Sequence, residues 1–394
     1  MVSSPRTVAV EKRGVCIGTV TRLLRACFAV REGWQEMKAL IAPALGVAAL
    51  LMVTAVVTAC GAARPSESDE RYGLAFSRVR GNDWSTWVAH ADGSGARMIT
   101  KGVAGPISSD GRWVTFSEAT DEEQRLFLRD LRNEKTRDLG PARVLAWSPD
   151  GSELAISNGR QLLLVEADGG KPRLLATGGI WSASFSPDGK AIAFAKGNPR
   201  IDLGGQTDLY VAGLSDDRVS RLTRDGASHD PVWGRSWIAF SREVPIEDYG
   251  SFSELYLMRP DGSEPHQLTI EEETVGHGSD DALRFGLAPR EFSADGKRLV
   301  ACVQLELGSC EPVAFTGPSG PGRKLPVAAN GAVWSVSISP DGSEVQFEDG
   351  TLDDDDHHSI STIPFGGGRP RVVLRDATGA SWSSAIPLTR DDTG

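Results

Sequence analysis

A four-residue phrase, Ser-Pro-Asp-Gly, recurs along this chain and constrains its fold more than any other feature. Each copy follows a bulky apolar residue and precedes a short alternation of apolar residues. Complete copies begin at Ser148, Ser186 and Ser339, and degenerate copies begin at Ser108 and Ser293. Proline presets φ and glycine accepts a positive φ, so each phrase predicts a tight turn between the two strands of a hairpin.

A second phrase follows each hairpin and predicts two further strands. It consists of an alternating strand, in several copies an Asp-Gly turn, and a short strand that ends near Leu-Thr. We call the four strands of a repeat A, B, C and D in chain order. Equivalent positions of the B strands are Phe76, Phe116, Ile156, Phe194, Phe240, Ala301 and Phe347. A spacing of roughly 40 to 60 residues predicts propeller blades rather than a sandwich.

We therefore predict an all-β fold over residues 72–387, a seven-bladed β-propeller with four-stranded blades; six or eight blades are the alternatives. The first repeat has no A strand, whereas Gly379–Ser383 repeats the A-strand pattern after the last repeat. We predict that this C-terminal strand completes the first blade, because a closed ring leaves no sheet edge exposed. Residues 388–394 form a tail.

These repeats resemble those of the TolB-type, WD-like β-propeller family of bacterial envelope proteins. The resemblance rests on the three complete Ser-Pro-Asp-Gly copies and on Leu255–Gly262, and it covers nearly all of the chain after residue 71. It implies the propeller fold and a place in the cell envelope. It implies no particular activity, because propellers support many unrelated functions.

The N-terminal part of the chain predicts export and lipidation. Residues 39–59 contain no charged side chain and follow Met37-Lys38. Val57-Thr58-Ala59 before Cys60 resembles the lipobox of bacterial lipoproteins, in which the cysteine carries the lipid. A membrane-spanning anchor and plain secretion are the alternatives.

Three segments follow from this interpretation. Residues 37–59 are a lipoprotein signal peptide, and residues 60–71 are a lipidated tether. Residues 1–36 are an upstream extension from a mis-assigned start, or a long basic leader. The expected location is the outer face of the cell membrane or the periplasmic side of a bacterial envelope, with the lipid as membrane anchor.

Only two cysteines remain in the exported body, Cys302 and Cys310. In an oxidising compartment two cysteines that flank a connection between strands favour a disulfide. A metal site is the alternative, but it would need further ligands nearby. We therefore predict that these two residues form a disulfide.

The long connections of the repeats join D strands to A strands or B strands to C strands, so they share one face, the loop-rich face. Long loops in a compact domain are usually functional or disordered. The chain carries a net charge of −11, which argues against nucleic acid as a partner. We expect an envelope protein or peptide to dock on this face of a monomeric propeller. The candidate binding residues are Trp84, His229, Asp230, Tyr249, Phe252, His277, Asp280 and Asp281.

No cofactor is predicted, with calcium as the alternative. The candidate ligands for a cation are the carboxylate and imidazole groups of the run Asp353, Asp354, Asp355, Asp356 and His357. The alternative for this run is a solvated loop that binds no ion.

No catalytic residue is predicted, because the sequence has no nucleophile elbow, zinc-protease helix motif or phosphate-binding glycine loop. A protein-binding or scaffolding module is therefore expected rather than an enzyme. A propeller that binds a small ligand or glycan, assisted by calcium, is the second interpretation, and a propeller-type lyase or hydrolase is the third.

Overall fold

The computed structural model describes residues 73–119, 123–197, 206–216, 218–246, 250–268, 284–305, 309–327, 332–350 and 358–383. The regular elements in these ranges are β-strands. No helix among these residues has the length and apolar character that a bilayer crossing requires. The predicted signal peptide and tether lie outside the described residues.

The strands fall into the four positions that the repeats predict. The A strands are β4 (Val103–Ile107), β8 (Arg143–Trp147), β12 (Ile180–Phe185), β16 (Ser228–Trp233), β20 (Arg284–Phe292), β24 (Ala332–Ile338) and β28 (Thr378–Trp382). The B strands are β1 (Leu74–Arg80), β5 (Trp113–Ala119), β9 (Glu153–Ser157), β13 (Ala191–Gly197), β17 (Ile238–Ile246), β21 (Arg298–Leu305) and β25 (Glu344–Gly350).

The remaining strands complete each set. The C strands are β2 (Asp83–Ala89), β6 (Gln124–Asp130), β10 (Gln161–Glu166), β14 (Thr207–Gly213), β18 (Gly250–Met258), β22 (Cys310–Thr316) and β26 (Ser359–Pro364). The D strands are β3 (Arg97–Lys101), β7 (Thr136–Gly140), β11 (Arg173–Thr177), β15 (Val219–Arg221), β19 (His266–Gln267), β23 (Arg323–Lys324) and β27 (Arg371–Arg375).

Within each set the strands pair antiparallel in the order A, B, C, D. Five sets form separate four-stranded sheets. The sets β16 to β19 and β20 to β23 share one eight-stranded sheet, because Ser253 pairs in parallel with Gly286. The all-β, four-stranded architecture is confirmed, whereas the count of seven blades stays a prediction since two sets share one sheet.

The C-terminal strand joins the first set, as predicted. Leu74 of β1 lies opposite Trp382 of β28, and the two strands run antiparallel. The Glu348 carboxylate on β25 holds β28 from the side, accepting hydrogen bonds from the Gly379 amide at 2.7 Å and from the Thr378 hydroxyl. Both ends of the described chain are therefore held in one sheet.

The recurring turn phrase folds through its own side chains. In the copy at Ser148, the hydroxyl donates to the Asp150 carboxylate at 2.7 Å and accepts the Glu153 amide at 2.9 Å. Gly151 has φ +73°, and a Cβ atom there would lie 2.9 Å from a carboxylate oxygen of Asp110. The serine, the aspartate and the glycine are thus each required by the turn.

The core lies between neighbouring sets, where sheet packs on sheet. Apolar side chains of β13 pack against those of β17, and the last set packs on the first through Leu74, Phe76, Ile360 and Leu374. The seven equivalent B-strand positions, from Phe76 to Phe347, are all buried. The register of the repeats predicted from the sequence is confirmed.

Hydrogen bonds also link successive A strands. In three places the backbone amide of the last residue of an A strand donates a hydrogen bond to a side chain of a neighbouring A strand. The acceptor residue is in each case the last but one of its strand. The pairs are Ile107 with Ser381 (3.1 Å), Trp233 with Ser184 (3.0 Å) and Ile338 with Glu291 (3.1 Å). Burial raises the pKa of Glu291 to about 7, although the amide hydrogen bond acts in the opposite direction. The acceptor group is thus a neutral hydroxyl in Ser184 and Ser381, and a readily protonated carboxyl in Glu291.

The predicted disulfide is present. Cys302 on β21 and Cys310 on β22 are bonded, and their Cα atoms lie 5.5 Å apart. Both residues are buried. The bond joins the B and C strands of one set on either side of their connection.

Candidate functional site at the channel mouth

Four A strands surround a cavity of about 310 Å³. A strands line the central channel of a propeller, so this cavity belongs to the channel. It is lined by Arg143, Val144, Leu145, Trp181, Ser182, Ala183, Asp230, Pro231, Val232, Pro289 and Arg290. The first residues of β8 take part, which places the cavity toward the loop-rich end of these strands.

Arg143 and Trp181 form one wall of the cavity. The Arg143 guanidinium lies over the Trp181 ring, with its Cζ 4.8 Å from the ring centroid, and donates a hydrogen bond to the Trp181 carbonyl oxygen. Trp181 remains 39% exposed. Burial lowers the pKa of Arg143, and the charge of Asp230 partly offsets this effect. The wall therefore combines a flat apolar surface with an exposed guanidinium group that lies over it.

Arg290 supplies a second guanidinium from β20. Arg290 is an exposed residue, although desolvation by the surrounding channel lowers its pKa, and Asp230 is the carboxylate whose charge opposes that shift. Toward the other described residues Arg290 forms neither a hydrogen bond nor an ion pair. Asp230 is thus the one carboxylate whose charge acts on both guanidinium groups, those of Arg143 and Arg290.

That carboxylate is already shared with a histidine. His229 Nδ1 lies 3.1 Å from Asp230, and His229 Nε2 lies 3.0 Å from Glu243. The Ser253 hydroxyl donates to the same Glu243 oxygen at 2.7 Å. Burial would lower the pKa of His229, but the two carboxylates outweigh it and raise the pKa to about 9. His229 is therefore protonated near neutral pH, and both ring nitrogens have partners.

Asp230 is held in an unusual backbone conformation. Its φ is +48°, and the pairing of β16 with β17 shifts register between His229 and Val232. Burial raises the pKa of Asp230, but the hydrogen bond and charge of His229 outweigh this and lower it. A non-glycine residue with positive φ costs of order 1 kcal/mol, and such strain concentrates at functional sites. The bulge turns an ionised carboxylate into the cavity.

Of the predicted binding residues, Asp230 lines this cavity, and His229 lies behind it in hydrogen-bond contact with Asp230. Trp84 on β2 is 40% exposed and Phe252 on β18 is half-buried, and neither is among the lining residues. The other predicted positions lie outside the described residues and stay predictions: Cys60, Tyr249, His277, Asp280, Asp281, Asp353, Asp354, Asp355, Asp356 and His357.

The structure contains no group of three or more His, Cys, Asp or Glu side chains that could hold a metal within its described ranges. His229, next to the lining residue Asp230, is engaged by two carboxylates. A cation bound by the acidic run at residues 353–356 stays a sequence prediction.

Arg143, Trp181 and Arg290 were not identified as candidates from the sequence. A signal for two of them exists: Arg143 and Trp181 each lie four residues before the bulky end of their A strand, as His229 does. Aligning the repeats on that end residue places all three at one level of the channel. Arg290 lies two residues before the end of β20, so no such alignment selects it.

No protein-family model matches the chain, and no curated protein matches it in sequence. Solved structures do match. The β-propeller domain of the Trilobed protease from Pyrococcus furiosus is 13% identical, with a TM-score of 0.55, and the match covers 77% of this chain and 93% of that one. An oligogalacturonate lyase in complex with manganese is 14% identical, with a TM-score of 0.53, and the match covers 77% of this chain and 86% of that one.

TolB from Acinetobacter baumannii is also a structural neighbour, at 16% identity and a TM-score of 0.48, with 84% of this chain and 71% of that chain covered. The neighbours thus include TolB-type and other β-propeller proteins. At these identities the two likenesses with the higher TM-scores show the fold alone, and the β-propeller class is confirmed.

Proposed function

We propose that this chain is an extracytoplasmic, lipid-anchored β-propeller that binds a protein or peptide partner of the cell envelope at the channel mouth. One observation carries this proposal. The cavity between β8, β12, β16 and β20 presents an exposed tryptophan beside two guanidinium groups that share one carboxylate. Tryptophan and arginine are among the residue types that contribute most to binding energy at protein interfaces.

The scaffold suits a preformed site. Every lining residue lies on a strand, and hydrogen bonds between successive A strands fix the strands relative to one another, as from Trp233 to Ser184 at 3.0 Å. The backbone of such a scaffold loses little freedom when a ligand binds, and loss of freedom is a main cost of association. A docked segment would meet a site that is already formed.

Lipidation and location are part of the proposal and are supported by the sequence. The lipobox-like residues before Cys60 and the charge-free run before them favour a lipidated, exported protein. The disulfide between Cys302 and Cys310 agrees with an oxidising compartment.

Binding is favoured over catalysis by the state of His229. A general base near neutral pH needs a pKa close to the working pH, whereas the pKa of His229 is about 9 and both nitrogens face carboxylates. The second candidate is a glycan- or small-ligand-binding propeller assisted by a metal. Its support is the manganese-bound lyase among the structural neighbours, together with the acidic run at residues 353–356.

The test is a crosslinked affinity capture from the organism's own membranes, with the full anchored chain as bait and mass spectrometry as readout. Trp181→Ala removes the aromatic wall of the cavity. Leu174→Ala is the matched control, because Leu174 is 49% exposed and lies on the D strand β11, away from the lining residues.

We expect a partner that the native chain and the Leu174→Ala variant capture, and that the Trp181→Ala variant loses. Circular dichroism and thermal unfolding establish that both variants are folded. Equal capture by all three chains, or capture of no protein by the native chain, would contradict the proposed function.

A further inference from the structure

The charges of the cavity do not balance. Arg143 and Arg290 face it with one carboxylate between them, and that carboxylate, Asp230, also lies 3.1 Å from the protonated His229. Glu243 compensates His229 from the other side at 3.0 Å. Among the described residues in and next to the cavity, three cations therefore stand against two carboxylates, an excess of one positive charge in a chain whose net charge is −11.

Arg143 and Arg290 are exposed residues, so a bound anion would gain from their charge and from charge-assisted hydrogen bonds rather than by relieving a buried charge. Guanidinium groups match carboxylates through paired N–H donors. Arg290 uses none of its donors on the described residues, and Arg143 uses one, on the Trp181 carbonyl oxygen. A surplus of one charge fits a monovalent carboxylate.

The rest of the lining indicates which kind of molecule would carry that carboxylate. Val144, Leu145, Pro231, Val232 and Pro289 are apolar, and Ser182 supplies the only side-chain hydroxyl among the described lining residues. Apart from the charged groups of Arg143, Arg290 and Asp230, the several hydroxyl groups of a sugar acid would meet a single side-chain hydroxyl among the described lining residues, and each hydroxyl group buried without a partner costs free energy. A ligand with an apolar side chain next to its carboxylate would pack against the apolar lining and would bury no unpaired hydroxyl group.

We propose that the channel mouth binds the free carboxyl terminus of a peptide, with the carboxylate between Arg143 and Arg290 and an apolar last side chain against Trp181 and the apolar wall. This inference rests on the proposed function, since it names the part of the partner that enters the cavity. A volume of about 310 Å³ lies at the lower end of the range for ligand pockets, which suits a chain end rather than a folded surface.

The test compares short peptides labelled at the amino terminus and ending in leucine or phenylalanine, as free acids and as carboxyl-terminal amides. Binding is measured by fluorescence anisotropy. The variants Arg290→Met and Arg143→Met remove one charge each and keep an unbranched side chain. Arg160→Met is the matched control, because Arg160 is an exposed arginine at the connection from β9 to β10 that does not line the cavity. An oligomer of uronic acid provides the third arm.

We expect the free acids to bind the native chain at least about tenfold more tightly than the amides, the difference that a charged hydrogen-bond pair produces. Each cavity variant should lose this preference, and Arg160→Met should keep it. Equal affinity for acid and amide, tighter binding of the uronic acid oligomer, or no binding of any peptide overturns the inference. If the inference fails in one of these ways but the Trp181→Ala variant still loses the captured partner, the proposed function stands. If Trp181→Ala captures the partner as well as the native chain does, the proposed function and the inference both fail.

Discussion

Replacing Glu291 with glutamine tests how the A strands are held together. The Glu291 carboxyl accepts the Ile338 amide at 3.1 Å, in a place where two other contacts of this kind use a serine hydroxyl. Burial raises its pKa from an ordinary value of 4.5 to about 7. Glutamine has nearly the same shape and keeps the acceptor oxygen, but it cannot ionise.

The sign of the effect follows from proton linkage. Below pH 4.5 the carboxyl is protonated in the folded and the unfolded chain, so its titration changes nothing. Between pH 4.5 and about 7 the unfolded chain has lost the proton and the folded chain keeps it, so stability falls as pH rises. Above about pH 7 both states are ionised and the loss is complete.

The expected loss is up to about 3 kcal/mol, because a pKa unit corresponds to about 1.4 kcal/mol. The measurement is urea unfolding of the native chain and of Glu291→Gln across this pH range. The difference in unfolding free energy between the two chains isolates the one carboxyl from the other titrating groups. The variant should gain relative to the native chain as pH rises toward 8.

The control is Glu166→Gln, since Glu166 is exposed at the end of β10. The pH profile of Glu291→Gln is compared with that of this variant, in which an exposed carboxyl group is replaced in the same way. A flat profile for Glu291→Gln would refute the argument that the carboxyl is neutral in the folded state. A profile in which the native chain gains with rising pH would show that the ionised carboxyl stabilises the contact.

Three further predictions concern other parts of the chain. Cys60→Ser should release the protein from the membrane fraction of its own cells, and unchanged retention would contradict the lipobox interpretation. Changing both Cys302 and Cys310 to serine should lower the unfolding free energy by about 2 kcal/mol or more, whereas unfolding unchanged from the native chain would show that the bond contributes nothing. Addition of calcium after EGTA should leave the unfolding temperature unchanged, because four consecutive aspartates cannot all face one ion; a rise that is lost when Asp353–Asp356 become asparagine would establish a cation site.

Much of the fold could be predicted because its signals are local. The turn at Ser148 is built by its own serine, aspartate and glycine, so four residues suffice to identify it. The absent first A strand and the spare pattern at Gly379–Ser383 predicted the closure that the pairing of Leu74 with Trp382 confirms. The parallel contact between Ser253 and Gly286, which joins two sets into one sheet, has no such local signal.

The site was harder to predict because the channel collects residues that are far apart in the chain. His229 and Asp230 were identified because they begin an A strand close to the central channel, shortly before its bulky end residue Trp233. Arg143 and Arg290 are ordinary arginines in the sequence, and their importance arises only where two A strands bring their charges to the same carboxylate. Local patterns identify turns and strands, whereas the electrostatics of a cavity depends on which distant strands the fold brings together.

The closure of the first sheet has a consequence for how the chain reaches its folded state. β1 pairs with β2 soon after synthesis, but its other edge waits for β28, roughly 300 residues later. Contacts at such separation form late, because the entropy of closing the loop must be lost before the contact gains anything. Until Trp382 has been delivered, Leu74–Arg80 is an open strand edge, which is a template for aggregation. A nascent chain that lacks its last strand therefore exposes this edge, and in the sequence the edge comes shortly after Cys60, the proposed lipidation site.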